Sequence, residues 1–452
     1  MLVPPDVAAA LRRAAVRFGT PVFVTDERAL DEAADVVRSA FPDPWMRQFS
    51  VKANDVPGVV RAVAGRGFGA NVVSSGEWAV ARTAGVPNER ITLEGVGKSE
   101  GDLRAAVAAA AAGRPLAWVA VESPEEADRL ALLARRARTR VDVLYRLNPD
   151  VSPETRPGLA VGAGGSKFGM TEAELTRAVE AAMSGVGAPR TGTSGAGMSG
   201  AGAGGGLRPR GIHVHVGSQL GAVDAWRDAA RRAFALLALV RGSVPDFDTA
   251  DLGGGFPVSP RGEPAPDPAR FAREIPALLD TLPADRRPVR LAIEPGRFLV
   301  ARSGWLVARV LHARDRGGPL VVIDAGMTEL IRPALYGAIH PVIALTAAGR
   351  PVDAATGAHA TRVEGPICES TDHLGEHDLP ALRRGDLVAI ADAGAYGASL
   401  GSTYNGRPRA PHVLLGGGGT HRLLRRRGRI GGGGSAGAVR PARRDGSRRL
   451  DG

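Results

Sequence analysis

Lysine is nearly missing from this chain. Only Lys52, Lys98 and Lys167 occur among its 58 basic residues. Wherever a plain positive charge suffices the sequence uses arginine, so a retained lysine marks chemistry that arginine cannot do. Arginine stays protonated, whereas a desolvated lysine amine can lose its proton and join a carbonyl carbon. The bland alternative is drift toward arginine that has left three surface lysines behind. Lys52 follows Phe49-Ser50-Val51, a short run that reads as the end of a strand. Cysteine is scarcer still: Cys368 stands alone, which excludes an intrachain disulfide and fits a reducing compartment. No apolar run approaches the roughly 20 residues of a membrane span. The N-terminus, Met1-Leu2-Val3-Pro4-Pro5-Asp6, lacks a basic segment followed by an apolar one. Together these absences lead to the expectation of a soluble, cytoplasmic protein.

Acidic residues are missing from one end. Residues 416–452 carry ten arginines against Asp445 and Asp451, or +8 of the net +11, and leave the body at only +3. A nucleic-acid role would rest on that tail alone, so neither nucleic acid nor membrane is an expected partner.

What is present is alternation. Gln48–Val51, Gly69–Val73, Arg90–Glu94, Ala117–Val121, Val141–Leu147, Gly211–Val216, Thr249–Leu252 and Val289–Ile293 read as strands. Ala/Arg/Leu-rich helical stretches such as Asp102–Ala112, Pro124–Arg138 and Ala225–Arg241 lie between them. Eight β/α units over roughly 250 residues predict a TIM barrel, although a doubly wound sheet could alternate in the same way. The polar residues Lys52, Asn71, Glu94, Arg146, Asn148, His215, Ser218, Gly253–Gly255 and Glu294–Arg297 fall at the strand ends that form a barrel's active-site face.

After residue 300 the pattern turns to strands and turns: Val300–Arg314, Leu320–Asp324, Val352–Val363 and Asp386–Asp392. These predict a mostly-β second domain that takes in the early run Pro21-Val22-Phe23-Val24. The expected division is a cofactor-binding barrel over 27–300, with a sheet domain from 1–26 and 301–415. Residues 184–207 are Gly/Ser/Ala-rich and read as a disordered insertion in the barrel. The tail 416–452 reads as disordered and basic.

Gly253-Gly254-Gly255 follows the seventh strand, where backbone N–H groups can approach a phosphate. The alternation in Ile212-His213-Val214-His215-Val216 puts His213 and His215 on one side of a strand. That permits a metal pair, a ring stacked on a cofactor, or a hydrogen-bonded interior histidine. Zinc requires three or four ligands and no third stands in a convincing motif, so no metal is expected. Lys52, a phosphate cradle, a flat ring and the carboxylate of Glu294 after the eighth strand point together to pyridoxal 5′-phosphate. In that reading the lysine carries the aldehyde, and the carboxylate keeps the pyridine nitrogen protonated.

Ordered motifs over most of the chain then resemble the meso-diaminopimelate decarboxylase family of alanine-racemase-like, fold-type III enzymes. They include Val51-Lys52-Ala53-Asn54, Ser166-Lys167-Phe168-Gly169, His215-Val216-Gly217-Ser218-Gln219, Gly253-Gly254-Gly255-Phe256 and Glu294-Pro295-Gly296-Arg297. Further along stand Asp324-Ala325-Gly326-Met327, Arg332-Pro333-Ala334-Leu335-Tyr336, Gly365-Pro366-Ile367-Cys368-Glu369-Ser370 and Asp392-Ala393-Gly394-Ala395-Tyr396-Gly397. The resemblance implies that Lys52 carries pyridoxal phosphate and that His215 stacks on its ring. It assigns Ser218, Gly253, Gly254, Gly255, Pro295, Gly296 and Arg297 to the phosphate side, Glu294 to the pyridine nitrogen, and Tyr396 to the cofactor and substrate. It implies that Arg297, Arg332 and Tyr336 clamp the distal carboxylate, that Glu369 meets the distal ammonium, and that Cys368 donates a proton. The Cys368-Glu369 segment would enter the neighbouring subunit's site in a homodimer. The implied reaction is decarboxylation of meso-2,6-diaminopimelate to L-lysine and CO₂, the last step of lysine biosynthesis. A related decarboxylase for ornithine, arginine or carboxynorspermidine is the alternative, and a catalytically dead regulator is a third reading. Three positions depart from the family pattern: Phe49, Asn71 and Glu94 replace the usual Ala-preceding Tyr, Asp and His. The tail after Arg425-Arg426-Arg427 also lacks the family's acidic, leucine-rich ending.

Overall fold

The computed structural model describes residues 3–155, 157–163, 165–184, 206–259, 264–347, 350–352 and 357–429. Eight parallel strands close into a barrel in sequence order: Met46–Ser50, Gly69–Val72, Ile91–Leu93, Trp118–Val121, Arg140–Arg146, Gly206–His213, Thr249–Asp251 and Arg290–Ile293. The last strand pairs back onto the first, Ala292 against Met46, which decides for a barrel over an open sheet. Each strand is short and buried because helices cover the outside and other strands the inside.

The turns after three strands share one sequence device. Ser74, Ser99 and Ser123 each accept a hydrogen bond from the backbone N–H three residues on, at Glu77, Asp102 and Glu126. The acidic side chains reach back to the N–H groups of Val73, Ser99 and Glu122. These reciprocal caps start the helices Ser75–Thr83, Glu100–Ala111 and Pro124–Arg136 immediately past the barrel mouth.

The second unit is a sheet built from both ends of the chain. Its order runs His373–Leu379, His359–Glu364, Pro319–Ile323, Gly304–Asp315, Val22–Asp26, His412–Gly416, Thr420–Arg425. Leu387–Ile390 bridges Gly304–Asp315 and Val342–Ala344. Val22–Asp26 sits in the middle, antiparallel to Gly304–Asp315 and parallel to His412–Gly416. A helix that the sequence pattern did not indicate, Pro5–Phe18, buries Val7, Ala10, Leu11, Ala14 and Ala15 in a core of its own with Val22, Val24, Trp305 and Val413.

The tail expectation is corrected over its first part. Thr420–Arg425 is an edge strand, antiparallel to His412–Gly416. A glycine hairpin, with Gly418 and Gly419 at φ +68° and +73°, turns the chain back. Leu424 then packs so tightly over Gly58 that a Cβ there would lie 2.7 Å from it. Arg427 donates to the carbonyls of Phe18 and Pro21, so this arginine is structural. Residues 430–452, and nearly all of the 184–207 segment, lie outside the described residues.

Candidate active site

A cavity of about 470 Å³ opens at the C-terminal ends of the barrel strands. Of the three lysines only Lys52 lines it. Lys98 is buried elsewhere, bound to Glu126 at 2.9 Å and to the Gly95 carbonyl, and Lys167 lies over the Phe168 ring. Lys52 sits on a single 3-10 turn, Val51–Ala53, directly after the first strand. The sheet domain grips that turn from above: Tyr396 N–H donates to the Ala53 carbonyl, Ser399 to the Lys52 carbonyl, and Asn54 to the Gly394 carbonyl. The Phe49 departure falls away from the site, since that ring is buried in the core while Ser50 faces the cavity.

One end of the cavity suits an anion. Gly253 and Gly255 hold φ of +66° and +107°, and a Cβ on Gly254 would collide with the Glu294 carbonyl. Only glycine permits this loop. Arg297 is buried, donates to the Ser218 hydroxyl at 3.1 Å, and leaves its Nε and Nη1 without a partner among the described residues. Its guanidinium lies 4.7 Å over the Tyr396 ring. A buried guanidinium with unmet donors, beside a hydroxyl and a glycine loop, is the donor set that a phosphate satisfies.

The strand carrying the two histidines ends at His213, so the alternation expected through His215 stops there. Both rings nonetheless line the cavity. Gly254 N–H donates to His215 Nδ1 at 3.2 Å, which makes that nitrogen an acceptor. Burial, with the charges of Lys52 and Arg146, holds the His215 pKa well below its ordinary value. It is a neutral, oriented ring.

Beneath it lies a cluster of acids. His213 Nε2 is 3.5 Å from Glu94 and 3.5 Å from Glu294. Burial, and next the charge of Glu294, raises the Glu94 pKa to about 8; burial and Glu294 raise that of Asp251 well above its usual range. Asn71 adjoins Glu94, on the neighbouring strand's end. Burial lowers the His213 pKa to about 4. Glu294 Oε1 has no hydrogen-bond partner among the described residues. A buried carboxylate oxygen without a hydrogen-bond partner is suited to a cationic N–H. His213, Glu94 and Glu294 also offer ligand atoms within 4.8 Å of one another, a third group that the sequence pattern had not supplied.

Arg332 and Tyr336 also line the cavity, on the short helix Arg332–Tyr336. Two other expected members are elsewhere. Cys368 is exposed, with the Asn405 side-chain amide 3.4 Å from its Sγ, and Glu369 accepts from the Tyr404 hydroxyl at 2.6 Å. Neither lines the cavity of its own chain. Arg146 lines the cavity, whereas Asn148 does not. Arg146 pairs with Glu122 at 2.6 Å, and Asn148 ties down the 163–168 loop. Sequence reasoning missed Asp251, which pairing of the seventh and eighth strands brings to Glu294, and His340, which carried no motif.

The family model for pyridoxal-dependent decarboxylases, described by its C-terminal sheet domain, matches residues 22–394. The diaminopimelate decarboxylase of Aquifex aeolicus is 33% identical over 92% of this chain and 91% of its own length. That of Deinococcus radiodurans is 35% identical over 92% and 96%. This chain belongs to the pyridoxal-dependent diaminopimelate decarboxylase family. Among solved structures of this family, diaminopimelate decarboxylase from Helicobacter pylori complexed with L-lysine superposes with a TM-score of 0.80 at 28% identity. The match covers 93% of this chain and 97% of that one.

Proposed function

We propose that this decarboxylase acts on meso-2,6-diaminopimelate, releasing CO₂ and L-lysine, with pyridoxal 5′-phosphate attached at Lys52. The observation that carries the reading is a single lysine in a cavity that also holds an anion-suited glycine loop with Ser218 and Arg297, and Arg332 with Tyr336. When bound, pyridoxal phosphate supplies the electron sink for the pair left behind by departing CO₂.

The chain's own residues do the rest. Lys52 supplies the amine. The Gly253–Gly255 loop, Ser218, Pro295-Gly296 and Arg297 hold the phosphate, and Tyr396 flanks Arg297. His215 presents a neutral ring face, and Glu294 offers its orphaned oxygen to the pyridine N–H. Arg332 and Tyr336, with Arg297, take the distal carboxylate, since a guanidinium meets a carboxylate through two parallel N–H donors. Cys368 Sγ is the proton donor and Glu369 the distal-ammonium partner, both supplied by a second copy of the chain. Their exposure in one chain supports that homodimeric arrangement. The division into a cofactor barrel over 27–300 and a sheet domain from 1–26 and 301 onward belongs to the same reading. So does a cytoplasmic setting; among the described residues no helix is long and apolar enough to cross a membrane.

The test is CO₂ release against a panel of amino acids. Diaminopimelate should exceed ornithine, arginine and carboxynorspermidine by on the order of 10⁴, because substrates without the distal amino acid leave buried polar groups unpaired. Comparable turnover of ornithine or arginine would overturn the substrate assignment.

A further inference from the structure

Arg332 stands at a junction. It lines the cavity containing Lys52 and also a second cavity of about 450 Å³, together with Arg297 and Tyr336. A long side chain between two spaces has two directions in which to point, and a clamp needs one. The structure supplies a fixing contact. After the helix Arg332–Tyr336, Gly337 at φ +57° reverses the chain, and its N–H closes onto the Pro333 carbonyl at 2.8 Å. The turn brings His340, eight residues on, back to Arg332: the two side chains meet at 2.9 Å between Nη1 and His340 Nε2. The other ring nitrogen, Nδ1, lies 3.1 Å from the Ala391 carbonyl oxygen.

The partners dictate the tautomer. A guanidinium has only donors, so Nε2 must accept; a carbonyl only accepts, so Nδ1 must donate. His340 is therefore a neutral imidazole with its proton on Nδ1, buried almost completely. Burial, and then the positive charges of Arg332 and Arg297, hold its pKa near 4, so it keeps this form at neutral pH. A neutral acceptor on a guanidinium orients the fork without cancelling its charge, which remains available to an incoming carboxylate.

We propose that His340 is a positioning residue of the substrate site. Through the Nε2 contact it fixes the guanidinium plane of Arg332 and so sets the affinity for ligands that carry a distal carboxylate. The inference rests on the reading of Arg332 as that carboxylate's partner.

The experiment titrates L-lysine and cadaverine into the cofactor-loaded protein by calorimetry. L-lysine keeps the distal carboxylate and cadaverine lacks it. His340→Asn keeps a donor for Ala391 but is too short to reach Arg332, and His340→Gln places an acceptor where Nε2 stood. His340→Asn should weaken L-lysine at least about tenfold, as expected for losing a hydrogen bond to a charged group. Cadaverine should change less than about twofold, and His340→Gln should recover most of the loss. In an Arg332→Ala background, His340→Asn should add nothing further. Equal weakening of both ligands, additive losses in the double variant, or unchanged L-lysine affinity in His340→Asn while Arg332→Ala loses it would overturn the proposal alone. Unchanged L-lysine affinity in Arg332→Ala would overturn the substrate assignment, and the proposal with it.

Discussion

The two ends of this site are built by opposite means. At the barrel end, Lys52, His213, His215, Glu294 and Arg297 come from three separate strand ends and are locked within one chain by burial and backbone contacts. Cys368 and Glu369, by contrast, are exposed and do not line the cavity of their own chain, though they are not loose. Asp372 accepts from the N–H groups of Met327 and Ile367 and shapes the loop, and Tyr404 and Asn405 hold the two side chains. An ordered, exposed, chemically capable segment beside a finished but incomplete pocket is what a site completed by a second copy requires. On the proposed reading, the difference teaches that the cofactor half is a folding problem of one chain, whereas the proton-donating half is an assembly problem.

The largest effect should come from the finished half. Lys52→Arg keeps the charge and removes the deprotonatable amine, so turnover should fall to background. Borohydride treatment of the native protein should label the Lys52 peptide, and labelling at Lys98 or Lys167 would contradict the account. Glu294→Gln should still bind pyridoxal phosphate, read by absorbance, and lose most of its turnover. In the exposed half, Cys368→Ala should fold and load cofactor normally, yet lose about 10² to 10⁴ in kcat, the usual worth of a positioned proton donor. A matching loss of cofactor binding would mean the two halves are not independent.

The smallest effect concerns the acid cluster alone. In the folded chain Glu94 has a pKa raised from 4.5 to about 8, so the folded state binds more protons than the unfolded one between those values. Its stabilising share is present below about pH 4.5 and is lost as pH rises toward 8. Glu94→Gln, which mimics the protonated acid, should flatten that decline by up to about 1.4 kcal/mol per pH unit. Thermal melts of the cofactor-free protein across this range read it directly, and an unchanged slope would place the proton elsewhere.

The barrel was legible because short strand-like runs alternate with Ala/Arg/Leu-rich helical stretches, and all eight expected strands overlap the observed ones. The sheet domain was less so. His373–Leu379 and Thr420–Arg425 are polar, partly exposed strands whose pairing depends on distant partners, and Val342–Ala344 is too short to carry a pattern. The helix Pro5–Phe18 lay in a stretch where only the following strand stood out. In the site, Lys52, the glycine loop and Glu294 were visible because their residue types are unusual where they occur. The Glu94–Asp251–Glu294 cluster was not, since it joins three strands that only closure of the barrel brings together. His340 looks like any loop histidine until Gly337 folds the chain back.

The claim that one chain supplies the cofactor half and another the proton donor is tested most directly by subunit mixing. Lys52→Ala and Cys368→Ala should each be inactive alone. After demonstrated exchange, a mixed dimer would hold one site with both native residues, so an equal mixture should recover about a quarter of native activity if subunits pair at random. No recovery despite exchange would mean that each chain completes its own site, and the account of the exposed Cys368-Glu369 segment would be wrong.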